Sequence, residues 1–372
     1  MYRNEPSRAA ALFAVACAAL VCGCGGDPPT AAGQERLDIE CSIPVTDVHR
    51  GARRGTIPGL SNPRMAAWGE TGTEYLALED RVVGVVLGGE PVAIPLNILW
   101  WHEIVNLDGA AYSVAVTHCP LTGSSLVFER SVVGGAELDV SGLLYENNLM
   151  MYDRVGASES LWPQMARGAR CGPLDGTALP MVAAIEMTWE AWRSLHPDSR
   201  VPTSETGHFR DYTEYPYAGV DDPRDDYDRI DNDFTLFPIG PGLDRRRPPK
   251  ERVLGIPDGD GAHAFPYGEL RELGFTGAVH GSTSGGDYVV FWDTDAEGGA
   301  AYRPEVDGQA LTFQGAGSWI LDDQTGSRWR VDGVAVDGAM AGKALEPIPD
   351  AFVAFWFAWP VFYAEVELWA NP

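Results

Sequence analysis

Positive charge is in short supply in this chain. Lysine and arginine together number 27 against 53 aspartates and glutamates, giving a formal net charge of -26 over 372 residues. A field of that sign argues against nucleic acid and anionic lipid headgroups as partners, and it favours solubility. Long apolar runs are missing too. The run from Ala9 to Val21 falls below the ~20 residues a spanning helix needs, and the run from Ala351 to Ala364 is short and broken by Pro360. That second run, with Phe355-Trp-Phe-Ala-Trp359, is expected as core or a covering strand. Compact Cys/His spacings of the zinc kind are absent. Asp221 to Asp233 carries seven aspartates but neither the glycine nor the closing glutamate of an EF-hand loop, so a solvated acidic loop is expected there. Arg245, Arg246, Arg247 and Lys250 follow it among prolines and could pair with it. Cysteine is scarce, at six residues.

Three of those six cysteines fall in the first 24 residues. Arg3 and Arg8 precede the apolar run, which ends in Val21-Cys-Gly-Cys24. This is the form of a bacterial lipoprotein signal spanning residues 1–23, with lipidation of Cys24. A tether over residues 24–40 follows, rich in glycine and proline. The expectation is a protein of the cell envelope, anchored to a membrane through its N-terminal lipid. That leaves Cys41, Cys119 and Cys171. Outside the cytoplasm an odd set of three allows one disulfide with a free thiol, or three free thiols, and spacing does not choose between them.

Cys119 has the most suggestive surroundings. Ala111 to Thr117 is rich in small and β-branched residues, Pro120 biases Cys119 to an extended conformation, and Leu121-Thr-Gly123 should reverse the chain into Ser125 to Arg130. A cysteine at such a tip is expected to be reachable and of lowered pKa. Thr122, three residues on, could donate its hydroxyl to the thiolate. The competing reading is a small buried side chain that ends a strand. His102 is the candidate proton donor or cation, against a structural histidine beside Trp100 and Trp101. His118 should point away from Cys119, on the other side of the strand.

The sequence also repeats itself. Arg81 to Leu99 aligns without a gap to Arg252 to Leu270, and Asp153, Ser160, Trp162, Gly172, Gly176 and Leu179 find counterparts in Asp323, Ser327, Trp329, Gly338, Gly342 and Leu345. Two related β-rich units follow, roughly 75 to 180 and 245 to 346. The fold expected is mainly β (α+β), with internally duplicated units and a few short helices. Its parts are a first unit at 41–180 carrying the Cys119 motif, a helix and acidic insertion at 181–244, and a second unit with the aromatic C-terminal segment at 245–372. Thr188 caps the expected helix and Pro197 stops it. The counterpart of the Cys119 segment, near Tyr288 to Asp295, keeps strand-forming residues but has no cysteine, which argues for a role of Cys119 beyond packing.

Trp101-His-Glu-Ile-Val-Asn106, Thr117-His-Cys-Pro-Leu-Thr-Gly123, Ser141 to Arg154, Ser160-Leu-Trp162 and Phe355 to Trp359 together resemble the domain-of-unknown-function 3179 family of bacteria and archaea, over most of the chain. The resemblance implies relatives with selenocysteine at the place of Cys119. Selenium favours redox chemistry or metal ligation and brings nothing to packing. The family pattern has tyrosine where this chain has His118, and Cys171 lies outside the resemblance. The main expectation is a thiol-redox protein in which Cys119 attacks a peroxide, sulfoxide or disulfide. Thr122 and His102 would assist, and Cys171, Cys41 or a partner thiol reductant would resolve the product. The alternatives are copper binding by Cys119, His102 and Met150 or Met151, and an envelope scaffold without chemistry.

Overall fold

Gly88 and Gly89, at φ 59° and 89°, let strand β1 (Arg81–Leu87) turn straight back into β2 (Glu90–Pro95), the tight hairpin that two left-handed residues permit. Pro95 then starts helix α1 (Leu96–His102), and β3 (Ile104–Asp108), β4 (Ser113–Cys119) and β5 (Ser124–Glu129) follow as an antiparallel meander. A second meander comprises β6 (Leu138–Tyr145), β7 (Asn148–Asp153) and β8 (Leu161–Pro163). The first half closes with β9 (Ile185–Thr188), helix α2 (Trp189–Leu195) and β10 (Arg200–Pro202). The computed structural model describes residues 39–155, 158–219 and 226–371. The expected signal, Cys24, nearly all of the tether and Asp221 to Asp225 lie outside the described residues.

The same order then recurs. Strands β11 (Arg252–Asp258) and β12 (Gly261–Pro266) lead into α3 (Tyr267–Arg271) and a meander of β13 (Thr276–Thr283), β14 (Gly286–Asp293) and β15 (Gly298–Arg303). A smaller meander of β16 (Phe313–Ala316), β17 (Trp319–Asp322) and β18 (Arg328–Trp329) follows, then β19 (Phe352–Phe355), α4 (Trp359–Phe362) and β20 (Glu365–Leu368). The fold is mostly strand, as the sequence implies. Among the described residues no helix is long and apolar enough to cross a membrane.

The repeat extends beyond what the sequence alignment traces. Trp189 N donates to Asp80 O at 2.7 Å, and Trp356 N donates to Glu251 O at 2.8 Å. Trp192 covers Gly84 as Trp359 covers Gly255: a Cβ on either glycine would lie 2.2 Å from the indole above it. The helix of the expected insertion and the aromatic C-terminal segment are therefore matching parts of the two halves. One pairing needs correction. Trp162 Nε1 donates to Asp153 Oδ2 at 2.9 Å, and its counterpart Trp329 Nε1 donates to Asp322 Oδ2 at 3.0 Å. Asp322, not Asp323, matches Asp153. A one-residue slip in the turn sends Asp323 to Thr312 instead.

The halves interlock. Strand β5 pairs with β19 at Ser125 and Val353, so one eight-stranded sheet carries strands from both. Phe355 N donates to Thr122 O at 2.8 Å, and Thr188 N donates to the matching Ala296 O at 3.0 Å. The turn after Cys119 is thus pinned by the C-terminal segment of the other half. Gly123 sits in that turn at φ 57°, where any Cβ would strike the Phe355 ring. Trp356 and Trp359 are fully buried, which places the aromatic run in the core. Of the cations after the acidic loop, Arg245 pairs with Asp233, Arg246 with Asp244, and Arg247 with Glu251 and Glu269. Lys250 is buried, its Nζ donating to Tyr227 O and Phe234 O.

Candidate functional site

Cys119 ends β4 and pairs with Ser124 across the turn, as the Pro120 and Gly123 signals suggest. Its exposure differs from the sequence expectation: the residue is 1 % exposed. Its Sγ accepts Leu149 N–H at 3.3 Å and faces Asn147 O at 3.9 Å. Burial first, and then the neighbouring Glu103 carboxyl, push the thiol up to about 11; the Thr122 hydroxyl and the N–H groups of Leu149 and Thr122 pull in the other direction. The expected accessible thiol of lowered pKa is therefore corrected to a buried, protonated one. A protein interior disfavours the thiolate, and the donors here only partly offset that cost.

Thr122 does lie against Cys119, and it belongs to a buried polar array. Its Oγ1 accepts from Asn148 Nδ2 at 2.8 Å and contacts Ser124 Oγ at 2.8 Å. Ser124 and Asn148 both donate to Gln164 Oε1. Gln164 Nε2 reaches Thr117 Oγ1 at 2.9 Å, and Asn148 Oδ1 accepts Met165 N–H at 3.0 Å. An array in which every member has a partner is rigid, because each unpaired group would carry a desolvation cost.

Glu103 was not anticipated. It caps α1 at φ 57°, is 6 % exposed, and takes a hydrogen bond from Tyr217. Burial pushes its carboxyl up to about 8 against that hydrogen bond, so it carries its proton through neutral pH. Tyr217 itself is raised well above its ordinary value by burial, and then by Glu103 and Cys119. Tyr227 donates to Leu121 O at 3.0 Å, and Asn147 Nδ2 donates to the Tyr227 hydroxyl at 3.2 Å. Tyr217 and Tyr227 come from the segment joining the two halves, so the thiol is covered by residues far away in sequence. Glu103, Asn147 and Asn148 stand in the segments that carry the family resemblance, where a buried carboxyl and two adjacent amides were the available signal. Tyr217 gave none.

The other candidates are placed elsewhere. His102 is fully buried, with Nδ1 donating to Pro58 O at 2.7 Å and Nε2 accepting from Tyr212 Oη at 2.7 Å. Burial holds it down at about 4, so it is a neutral structural histidine and not a cation beside Cys119. Cys41 and Cys171 are joined in a disulfide, so neither is a resolving thiol; Cys119 is the free cysteine among the described residues. Met150 packs with that disulfide, while Met151 belongs to the core cluster of Cys119. With both His102 nitrogens engaged and Met150 in another cluster, the copper set Cys119, His102 and Met150 is not assembled.

His118 points away from Cys119, as its place on the strand requires, and enters a second polar centre. Its Nδ1 donates to Ser125 Oγ at 2.9 Å, and Ser125 donates to Glu186 Oε2 at 2.6 Å. Arg81 and Arg252, matching residues of the two halves, meet on Glu186 Oε1 at 2.8 and 3.2 Å. Burial works against the Glu186 carboxylate. Arg81 above all, then Arg252, His118 and the Ser125 hydroxyl, outweigh it and hold the group at about 2.

Both centres sit within the span, residues 54–366, that matches the family model described as protein of unknown function, DUF3179. The chain belongs to the DUF3179 family. No curated protein sequence and no solved structure matches it. In this DUF3179 protein the free thiol of Cys119 and the buried carboxyl of Glu103 both lie within the matched span.

Proposed function

We propose that the protein is a single-cysteine thiol reductant of small hydroperoxides, working at Cys119 in the cell envelope. The carrying observation is that a free, fully enclosed sulfur receives Leu149 N–H, with the Thr122 hydroxyl and N–H close by and the protonated Glu103 carboxyl near enough to act on it electrostatically. Donors aimed at sulfur gain most when it bears negative charge, as it does while attacking an oxidant. Sulfur attacks the outer peroxide oxygen and the O–O bond breaks. The thiol proton passes to Glu103 as the Glu103 proton passes to the departing alkoxide, giving Cys119 sulfenic acid and an alcohol. A small thiol then condenses with the sulfenic acid, releasing water, and a second thiol returns Cys119 as the thiol with a small disulfide as product. The reductant must be external, because Cys41 and Cys171 hold each other. Enclosure narrows the substrate from the wider set of peroxides, sulfoxides and disulfides to a molecule small enough to pass Tyr217 and Tyr227.

A second reading has its own observation. In the other half Asp293 takes the place of Cys119 at the hairpin end, and its Oδ1 accepts Ala296 N–H at 3.0 Å. Cys119 would on this view do no more than hold its turn. Hydrogen peroxide applied to the folded protein and then removed, with dimedone added on unfolding in urea and the product read by mass spectrometry, separates the two. The redox reading expects a dimedone adduct at Cys119 that is absent in Cys119→Ser; no adduct from wild type treated with peroxide while folded leaves the turn-holding role.

The envelope location rests on Arg3, Arg8, the apolar run and Cys24. Mass spectrometry of the mature N-terminus is expected to find a diacylglyceryl Cys24, and an unmodified terminus at another residue contradicts the anchor.

A further inference from the structure

The two halves differ in how they fill the space beside their Trp-bearing helices. Beside β1, under Trp192, lies a cleft of about 540 Å³ bordered by Ile185, Ala300, Tyr302 and Ala344, with His196 and Asp332 at one end. The matching place in the other half is filled. There Tyr363 stands for His196, Phe352 for Ile185 and Leu126 for Ala300, following the registers of the two hairpins and the two Trp-bearing helices. Tyr363 stacks on Trp359 at 5.3 Å and spans the gap to donate to Met165 O at 3.2 Å. Phe352 also stacks on Trp359, at 4.6 Å. The same scaffold therefore packs solid with those three side chains and stays open with the smaller ones. An unfilled apolar space loses dispersion contacts and costs stability, and about 540 Å³ falls within the usual range of small-molecule sites.

We propose that this cleft binds an uncharged, mostly apolar small molecule carrying one hydrogen-bonding group that meets the His196 ring. The lining is chiefly aliphatic and aromatic, which sets the apolar body of the ligand. His196 supplies the polar contact. It lies against Trp192 at 4.2 Å, its ring nitrogens make no hydrogen bond among the described residues, and Nε2 stands 3.7 Å from Asp332 Oδ2. Burial lowers its pKa although Asp332 opposes the shift, so the ring is presented neutral. Asp332 is already held by Arg330 through both carboxylate oxygens, at 3.1 and 2.5 Å, and offers nothing to a cation. An anion would be set against the chain's net charge of -26, and the apolar lining would strip water from a charged group of either sign. A neutral ligand is what remains. The site is independent of Cys119.

N-phenyl-1-naphthylamine, which is uncharged and has a single N–H, is the probe. Its fluorescence should rise saturably with one molecule bound per folded chain. Ala300→Leu, which installs the residue of the filled half, should weaken binding at least about tenfold with the melting temperature held or raised. If Ala300→Leu fails to fold, Ile185→Phe is the second variant with the same expectation. Non-saturable binding to the wild type, unchanged affinity in either folded variant, or equally tight binding of the anionic 8-anilinonaphthalene-1-sulfonate would overturn the proposal.

Discussion

Replacing Glu186 with glutamine is expected to cost about 3–5 kcal/mol of folding stability, the scale for removing one partner of a buried ion pair. Arg81 and Arg252 come from matching positions of the two halves and both end on this carboxylate, with side-chain exposures of 11 % and 20 %. The matching residue in the other half is Val353, so the charge is needed only where the two arginines converge. Without it the guanidinium groups remain in the interior, and Ser125 loses its carboxylate acceptor. The pH dependence has a definite sign. Glu186 is held at about 2, below its unfolded value near 4.5, so its contribution is complete above pH ~4.5 and disappears as pH falls through ~2. Urea unfolding of Glu186→Gln and wild type should therefore diverge at pH 7 and converge towards pH 2. Equal midpoints at pH 7 would show that the arginines are satisfied elsewhere.

Glu103→Gln should act in the opposite sense, stabilising the protein at alkaline pH by an amount on the order of 4 kcal/mol. Glu103 is held up at about 8, above its unfolded value near 4.5. The folded state thus keeps a proton that the unfolded state has released. That contribution is fully present below pH ~4.5 and is lost as pH rises through ~8. Glutamine keeps the shape and can still accept from Tyr217, but it has no proton to lose. Urea unfolding should give nearly equal stabilities at pH 4.5 and a clear advantage for Glu103→Gln at pH 8.5. A constant difference across that range would mean that Glu103 is solvated and not enclosed beside Cys119.

What could be read from the sequence follows the range of the forces involved. The strand ending at Cys119, its turn and the Thr188-capped helix are written in neighbouring residues, and they form as expected. The Arg81 and Arg252 segments announce the duplication because glycine and proline positions persist where a backbone demands them. Exposure is another matter. Pro120 and Gly123 place Cys119 at a strand tip, but Tyr217 and Tyr227, about a hundred residues on, bury it. The convergence of both arginines on Glu186 is equally invisible, since only the interlocking of the halves brings them together. His102 misled because a histidine beside two tryptophans looks the same in sequence whether its nitrogens are free or, as here, tied to Pro58 and Tyr212.

The most direct test compares how two reagents of different size reach Cys119 in the folded wild-type protein. Hydrogen peroxide and a biotin-linked maleimide are each applied with and without urea and then quenched; dimedone is added to the peroxide samples only on unfolding, and the modified fraction is read by mass spectrometry at Cys119. Enclosure of a working thiol predicts that peroxide oxidises Cys119 in the folded state, while the maleimide reaches it only after unfolding. Oxidation that appears only in urea would contradict the redox role, and rapid maleimide labelling without urea would contradict the enclosure.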